Sequence, residues 1–164
     1  MNSTMTPIDW AKRPIEKYAD FSGRAPRAEY WWYTLGIIVV AIAISIIESV
    51  VGLDHMVGPY GPLSLLFMLA LIVPGLAVTV RRLHDTNRSA WWLLLIAPYV
   101  VAAVLAVMAM KTGSMAGLGS AGVFGIVGLV CAVVLLVFMV LPGTPGDNRY
   151  GPSPYDKAGS TAAE

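Results

Sequence analysis

The chain has 164 residues, 57% of them hydrophobic and only 13% charged, with a mean hydropathy of +0.69. A soluble domain carries about 25% charged residues, so a water-soluble globular class is excluded and a bilayer is the expected solvent. The net charge of +1 points to no nucleic-acid partner, and the single cysteine, Cys131, excludes an intramolecular disulfide.

In chain order, residues 1–31 form a cytoplasmic or interfacial N-terminal segment. Within it Pro7–Asp20 (PIDWAKRPIEKYAD) is expected as a short interfacial helix with Trp10 and Tyr18 in the headgroups, and Pro14 is expected to delay its start. Four apolar stretches follow, Trp32–Leu53, Leu63–Val80, Trp91–Met110 and Ala121–Leu141. At ~1.5 Å per residue each covers roughly 27–33 Å, the thickness of a hydrocarbon core. The first exceeds the apolar core of a signal peptide and lacks a small-residue cleavage pattern, so it is expected in the mature protein. Residues 142–164 form a tail, expected to be disordered after about residue 155.

Lysine and arginine are partitioned along this pattern. Five fall before the first span (Lys12, Arg13, Lys17, Arg24, Arg27), three after the second (Arg81, Arg82, Arg88) and two in the tail (Arg149, Lys157), while the other two connections hold only Lys111. By the positive-inside rule both termini and the 81–90 segment are expected in the cytoplasm. Short connections make consecutive helices antiparallel neighbours, and the expected fold is an all-α integral membrane four-helix bundle. Small residues four apart, Ala102/Ala106, Ala121/Gly125 and Gly128/Ala132, are expected to let the third and fourth helices approach closely. Pro74 and Pro98 are expected to kink the second and third.

The two halves echo each other faintly. RAEYWW enters the first helix and RSAWW the third, and Pro74-Gly75 and Pro142-Gly143 stand near the cytoplasmic ends of the second and fourth. A parallel repeat and convergent interface chemistry both account for this.

Three polar motifs are placed by this topology on one side of the membrane: FSGRAPRAEYWW (21–32), RRLHDTNRSAWW (81–92) and PGTPGDNRYGP (142–152). Their order and content resemble the bacterial "domain of unknown function 805" family of inner membrane proteins, over about Phe21 to Pro154. Pro26 stands where that family's pattern has serine, and Asn87 and Ala90 where it has glycine. The resemblance implies a fold and a location but no activity.

Two readings of the arginine–tryptophan cluster remain open. In one, Arg81, Arg82 and Arg88 are topology anchors, Trp91 and Trp92 belong to the interfacial belt, and Asp85, Thr86, Asn87 or Ser89 caps the third helix. In the other, adjacent tryptophans point about 100° apart, so one of each pair turns inward to be stacked by an arginine. Arg24, Arg27, Arg81, Arg82, Arg88 and Arg149, with Trp32 and Trp92, then line a pocket for an anionic lipid headgroup. Glu29, His84 and Asp85 are its charge partners.

Catalysis finds little support. His84 and Asp85 are sequence neighbours that do not face each other on a helix, and no nucleophile motif, phosphate loop or metal-ligand spacing accompanies them. Glu48 lies within the first span on a face with Ser45, Ser49 and Gly52, about 7 Å from its outer end. It either marks an ion path or reaches the interface. The expectation is therefore a non-enzymatic inner-membrane protein without metal or cofactor. Its partners are membrane lipids, with a homo-oligomer or a second membrane protein as further candidates, and the alternative is a small transporter or channel subunit using Glu48.

Overall fold

A computed structural model describes residues 5–56 and 60–155 of the chain. The expected unstructured tail after residue 155 lies outside the described residues. The fold is all-α, with α1 over Pro7–Glu16, α2 over Arg27–Val51 and α3 over Pro62–Asp85. A 3-10 segment, Ala90–Ile96, leads into α4 (Ala97–Thr112), and α5 covers Met115–Val140. Four helical stretches, of 25, 24, 23 and 26 residues, are long and apolar enough to cross a membrane.

These helices overrun the apolar runs, and the overrun positions the chemistry. The motif RRLHD is the last turn of α3 and not a loop, and the glutamate of RAEYWW lies in the first turn of α2. At the end of α3, Asn87 adopts φ 58° and the amide of Arg88 returns to the Leu83 carbonyl at 2.9 Å, a left-handed closure. Asparagine tolerates that conformation better than other non-glycine residues, which explains how the chain departs from the expected glycine there. Pro26 occupies the N-cap of α2 and makes no side-chain cap bond.

α1 begins at Pro7 and not late. Thr6 accepts from the Asp9 amide while the Asp9 carboxylate accepts from the Thr6 amide, and Pro7 suits the first helical position. Pro14 falls near its end. The helix packs along α2, where a Cβ placed on Gly36 would stand 3.7 Å from the Ala11 Cβ.

Pro74 lacks the amide that would bond the Ala70 carbonyl in α3. The Tyr18 hydroxyl, from the segment after α1, donates to that carbonyl at 2.5 Å. Pro98 divides the third span into its 3-10 and α parts instead of bending one helix.

α4 packs on α5 and, among the described residues, not on α2 or α3. The buried small residues on this pair are Ala102 and Ala109 against Ala121 and Gly128, spaced by seven. A Cβ at Gly128 would meet the Tyr99 backbone at 3.0 Å, whereas Gly125 has open space around it. Two helical hairpins thus result, joined mainly where the arginines lie.

Candidate functional site

The site is built around the end of α3. Helical geometry sets Arg82 and Asp85 three residues apart on one face, and both are fully buried. One Asp85 oxygen accepts from Arg24 Nε at 3.0 Å; the other accepts from Arg82 and from the Tyr155 hydroxyl, the latter at 2.9 Å. The Asp85 backbone carbonyl accepts the Thr144 amide at 2.9 Å. Gly143 is required by this approach, because a Cβ there would collide with the Asp85 carboxylate. Burial and then the neighbouring Asp85 charge push the Tyr155 phenol up, keeping it a donor.

The arginines also satisfy backbone carbonyls. Arg82 donates to the carbonyls of Met139 and Leu141 at the end of α5, and Arg24 to those of Thr144 and Gly146, both at 2.6 Å. A helix C-terminus leaves its last carbonyls without intrahelical partners and carries partial negative charge, so cationic forks suit it. The first motif (Arg24), the second (Arg82, Asp85) and the third (Thr144, Gly146) are thereby laced into one clasp.

A second buried pair lies beside it. Arg81 donates to Glu29 at 2.9 Å, each about 1% exposed, and Arg13 of α1 approaches the other Glu29 oxygen at 3.5 Å. Asp20 stands 4.0 Å from Arg81, and hydrogen bonds from Ser22 hold its carboxyl below the usual range, so it stays charged.

The remaining arginines have other surroundings. Among the described residues Arg27, Arg88 and Arg149 pair with no carboxylate. Arg27 reaches the Val140 carbonyl at 3.4 Å, Arg88 the Thr86 carbonyl at 3.2 Å and Arg149 the Asn87 carbonyl at 3.0 Å. Arg88 lies 4.0 Å over the Phe138 ring and Arg149 lies 4.7 Å over that of Tyr150. The expected stacking of arginine on Trp32 or Trp92 is therefore replaced: both tryptophans are about 40% exposed, and Trp92 meets Phe138 edge-on at 5.0 Å. His84 does not pair with Asp85; its ring stacks on Tyr150 at 3.8 Å and its Nδ1 donates to the Gly23 carbonyl at 3.2 Å. Ser89 precedes the 3-10 segment without a side-chain cap bond, so none of the anticipated capping residues caps the third span.

Glu48 sits at the opposite end. Its carboxylate accepts from the amides of Leu63 (2.6 Å) and Ser64 (3.0 Å) and from the Ser64 hydroxyl. Pro62 has no amide hydrogen and the Leu65 amide bonds the Gly61 carbonyl, so Glu48 supplies what the first turn of α3 lacks. Gly61 leaves the room, since a Cβ there would collide with Glu48. Ser45 and Ser49, expected on the same inward stripe, are exposed. Among the described residues no cluster of His, Cys, Asp and Glu could hold a metal.

Sequence reasoning missed Tyr155, Gly143 and Gly61, whose roles depend on partners far along the chain. Arg13 was legible only as a charge.

Residues 18–152 match the family model described as "Protein of unknown function (DUF805)". The chain is 43% identical over 99 residues to "Inner membrane protein YhaI" of Escherichia coli strain K12, covering 60% of this chain and 80% of that protein. It is 30% identical over 148 residues to "Inner membrane protein YhaH" of the same strain, covering 90% and 97%. No solved structure matches the chain.

Proposed function

Because the chain belongs to the DUF805 family, whose relatives are inner membrane proteins of unstated activity, we propose a non-enzymatic inner-membrane protein whose arginine-bearing end faces the cytoplasm and holds anionic lipid headgroups. The observation that carries this is the division of the arginines. Arg24, Arg81 and Arg82 are buried and paired with Asp85 and Glu29, while Arg27, Arg88 and Arg149 lie at the rim and, among the described residues, pair with no carboxylate. Guanidinium forks at a membrane surface suit phosphate bidentately, and the buried set holds the frame that presents them. Charge partition supports the cytoplasmic orientation. The use of Glu48 as a helix cap removes the main support for a transport path.

Native mass spectrometry with phosphatidylglycerol and phosphatidylcholine tests the headgroup claim. The wild type should retain phosphatidylglycerol preferentially, and the triple variant Arg27→Lys, Arg88→Lys, Arg149→Lys should lose that preference, because lysine keeps the charge and not the fork. Equal preference in both proteins would defeat it. Orientation is read with an impermeant maleimide in a Cys131→Ser background. An Asp147→Cys site should label only from the cytoplasmic face and a His55→Cys site only from the other; the reverse pattern would invert the account.

A further inference from the structure

A cavity of about 720 Å³ opens between α2, α3 and the 3-10 segment. Its lining extends along α3 from Ser64 to Thr79, a rise of about 22 Å at ~1.5 Å per residue. That length lies within two membrane-spanning helices. The walls are mainly apolar, with Ile37, Phe67, Leu71 and Leu93 among them, and carry no charged side chain. The hydroxyls of Thr34 and Thr79 are turned back, donating to the Tyr30 and Gly75 carbonyls of their own helices at 2.8 and 2.7 Å, while the buried Tyr33 hydroxyl makes no hydrogen bond among the described residues. At the rim Ile38, Ile72 and Leu76 are exposed, so the space communicates with the protein surface.

We propose that this cleft binds one acyl chain of a membrane phospholipid, lying along α2 and α3 with its headgroup beside Arg27 and Arg88. Size selects the occupant. The volume divided by the length gives a mean cross-section of about 30 Å², whereas a helix ~10 Å across occupies about 80 Å². The cleft therefore admits a hydrocarbon chain and not a transmembrane helix of a partner or second copy. Depth selects it too, since the free apolar species available inside a bilayer is the lipid tail.

One end of the cleft abuts the arginine rim. Tyr30 and Leu93 line it and pack against the cluster of Leu83, Phe138 and Met139. Arg88 stacks over that same Phe138, and Arg27 stands one turn before Tyr30 on α2. The placement of the headgroup rests on the rim reading above; the chain site does not.

Vesicles containing phosphatidylglycerol or phosphatidylcholine with a diazirine at mid-chain test both halves. In the wild type, photo-adducts should concentrate on the cleft-facing stretches of α2 and α3. Gly75→Phe fills the cleft, because a Cβ at Gly75 has no heavy atom within 4 Å, and Ala41→Phe fills it from the other wall. Each should lower those adducts by about fivefold or more, which corresponds to ~1 kcal/mol of lost binding, with an unchanged melting temperature confirming the fold. Adducts spread evenly over α2 to α5 in the wild type would overturn the chain site without reference to any variant. So would adducts that persist in both correctly folded plug variants. Equal labelling of the cleft by both lipids keeps the chain site and removes the headgroup placement. A phosphatidylglycerol preference abolished by Arg88→Lys supports both.

Discussion

Asp85→Asn is the sharpest perturbation of the clasp. It preserves shape, and one amide oxygen can still accept from Arg24 Nε. The amide nitrogen then faces the Arg82 guanidinium, donor against donor, while the Tyr155 hydroxyl can turn to accept from it. The Arg82 contact is lost, and two buried guanidiniums keep their charge without a counterion. Removing one partner of a buried ion pair costs about 3–5 kcal/mol, against about 0.2–1 kcal/mol for an exposed pair. At roughly 2–4 °C per kcal/mol for a chain of this size, the melting temperature should fall by about 6–20 °C. The assay is unfolding in detergent followed by tryptophan fluorescence. Tyr155→Phe should fall by less, since it removes one hydrogen bond and leaves both ion pairs. A loss for Asp85→Asn below ~1 kcal/mol would refute the clasp, because such a value describes a solvated surface pair.

Three further outcomes are expected. Glu48→Gln should lower the melting temperature more than Ser64→Ala, since it discharges the acceptor of two α3 amides, and Gly61→Ala should disrupt the same cap by collision; equal, negligible effects would return Glu48 to a solvated interface role. Tyr18→Phe should cost about 0.5–1.5 kcal/mol in the wild type and less in a Pro74→Ala background, where the restored amide bonds the Ala70 carbonyl instead; an additive double-mutant cycle would contradict that exchange. Gly128→Leu should destabilise by about 1–3 kcal/mol through overlap with Tyr99 while Gly125→Leu is tolerated, and equal losses in thermal unfolding would contradict the α4–α5 register.

The spans and the three motifs were legible because apolar length and charge partition are local properties of the sequence. The boundaries were less so. Arg81 and Arg82 read as loop residues on hydropathy alone, yet α3 continues through them because Glu29 pairs with Arg81, and α5 carbonyls and Asp85 satisfy the Arg82 guanidinium. For Arg82 that compensation comes from residues 57 and 3 positions away, and only the nearer one can be anticipated from helical spacing. Glu48 was visible as an intramembrane carboxylate, but its partner is the start of the next helix, where Gly61-Pro62 supplies neither a cap side chain nor a first amide. Proline was read as a kink at Pro74 and Pro98. Its consequence at Pro74 is an orphaned carbonyl that a tyrosine from outside the span completes. The third and fourth spans do approach closely through small residues, but only one member of each expected pair, Ala102, Ala121 and Gly128, is buried there, because the α4–α5 contact recurs every two turns.

A single Arg→Lys scan, read as melting temperature at each of six positions, tests the central claim most directly. Lysine retains the charge, snorkels as arginine does, and keeps the positive-inside count. Its one ammonium cannot reach Asp85 and the carbonyls of Thr144 and Gly146 together as Arg24 does, nor bridge Asp85, Met139 and Leu141 as Arg82 does. Arg24→Lys and Arg82→Lys should each lose about 2 kcal/mol or more, and Arg81→Lys less, because its one hydrogen bond, to Glu29, is within reach of an ammonium. Arg27→Lys, Arg88→Lys and Arg149→Lys should stay within about 0.5 kcal/mol of wild type, as surface substitutions do. Six small and similar losses would contradict the division of the arginines and leave all of them as interchangeable charges at the membrane surface.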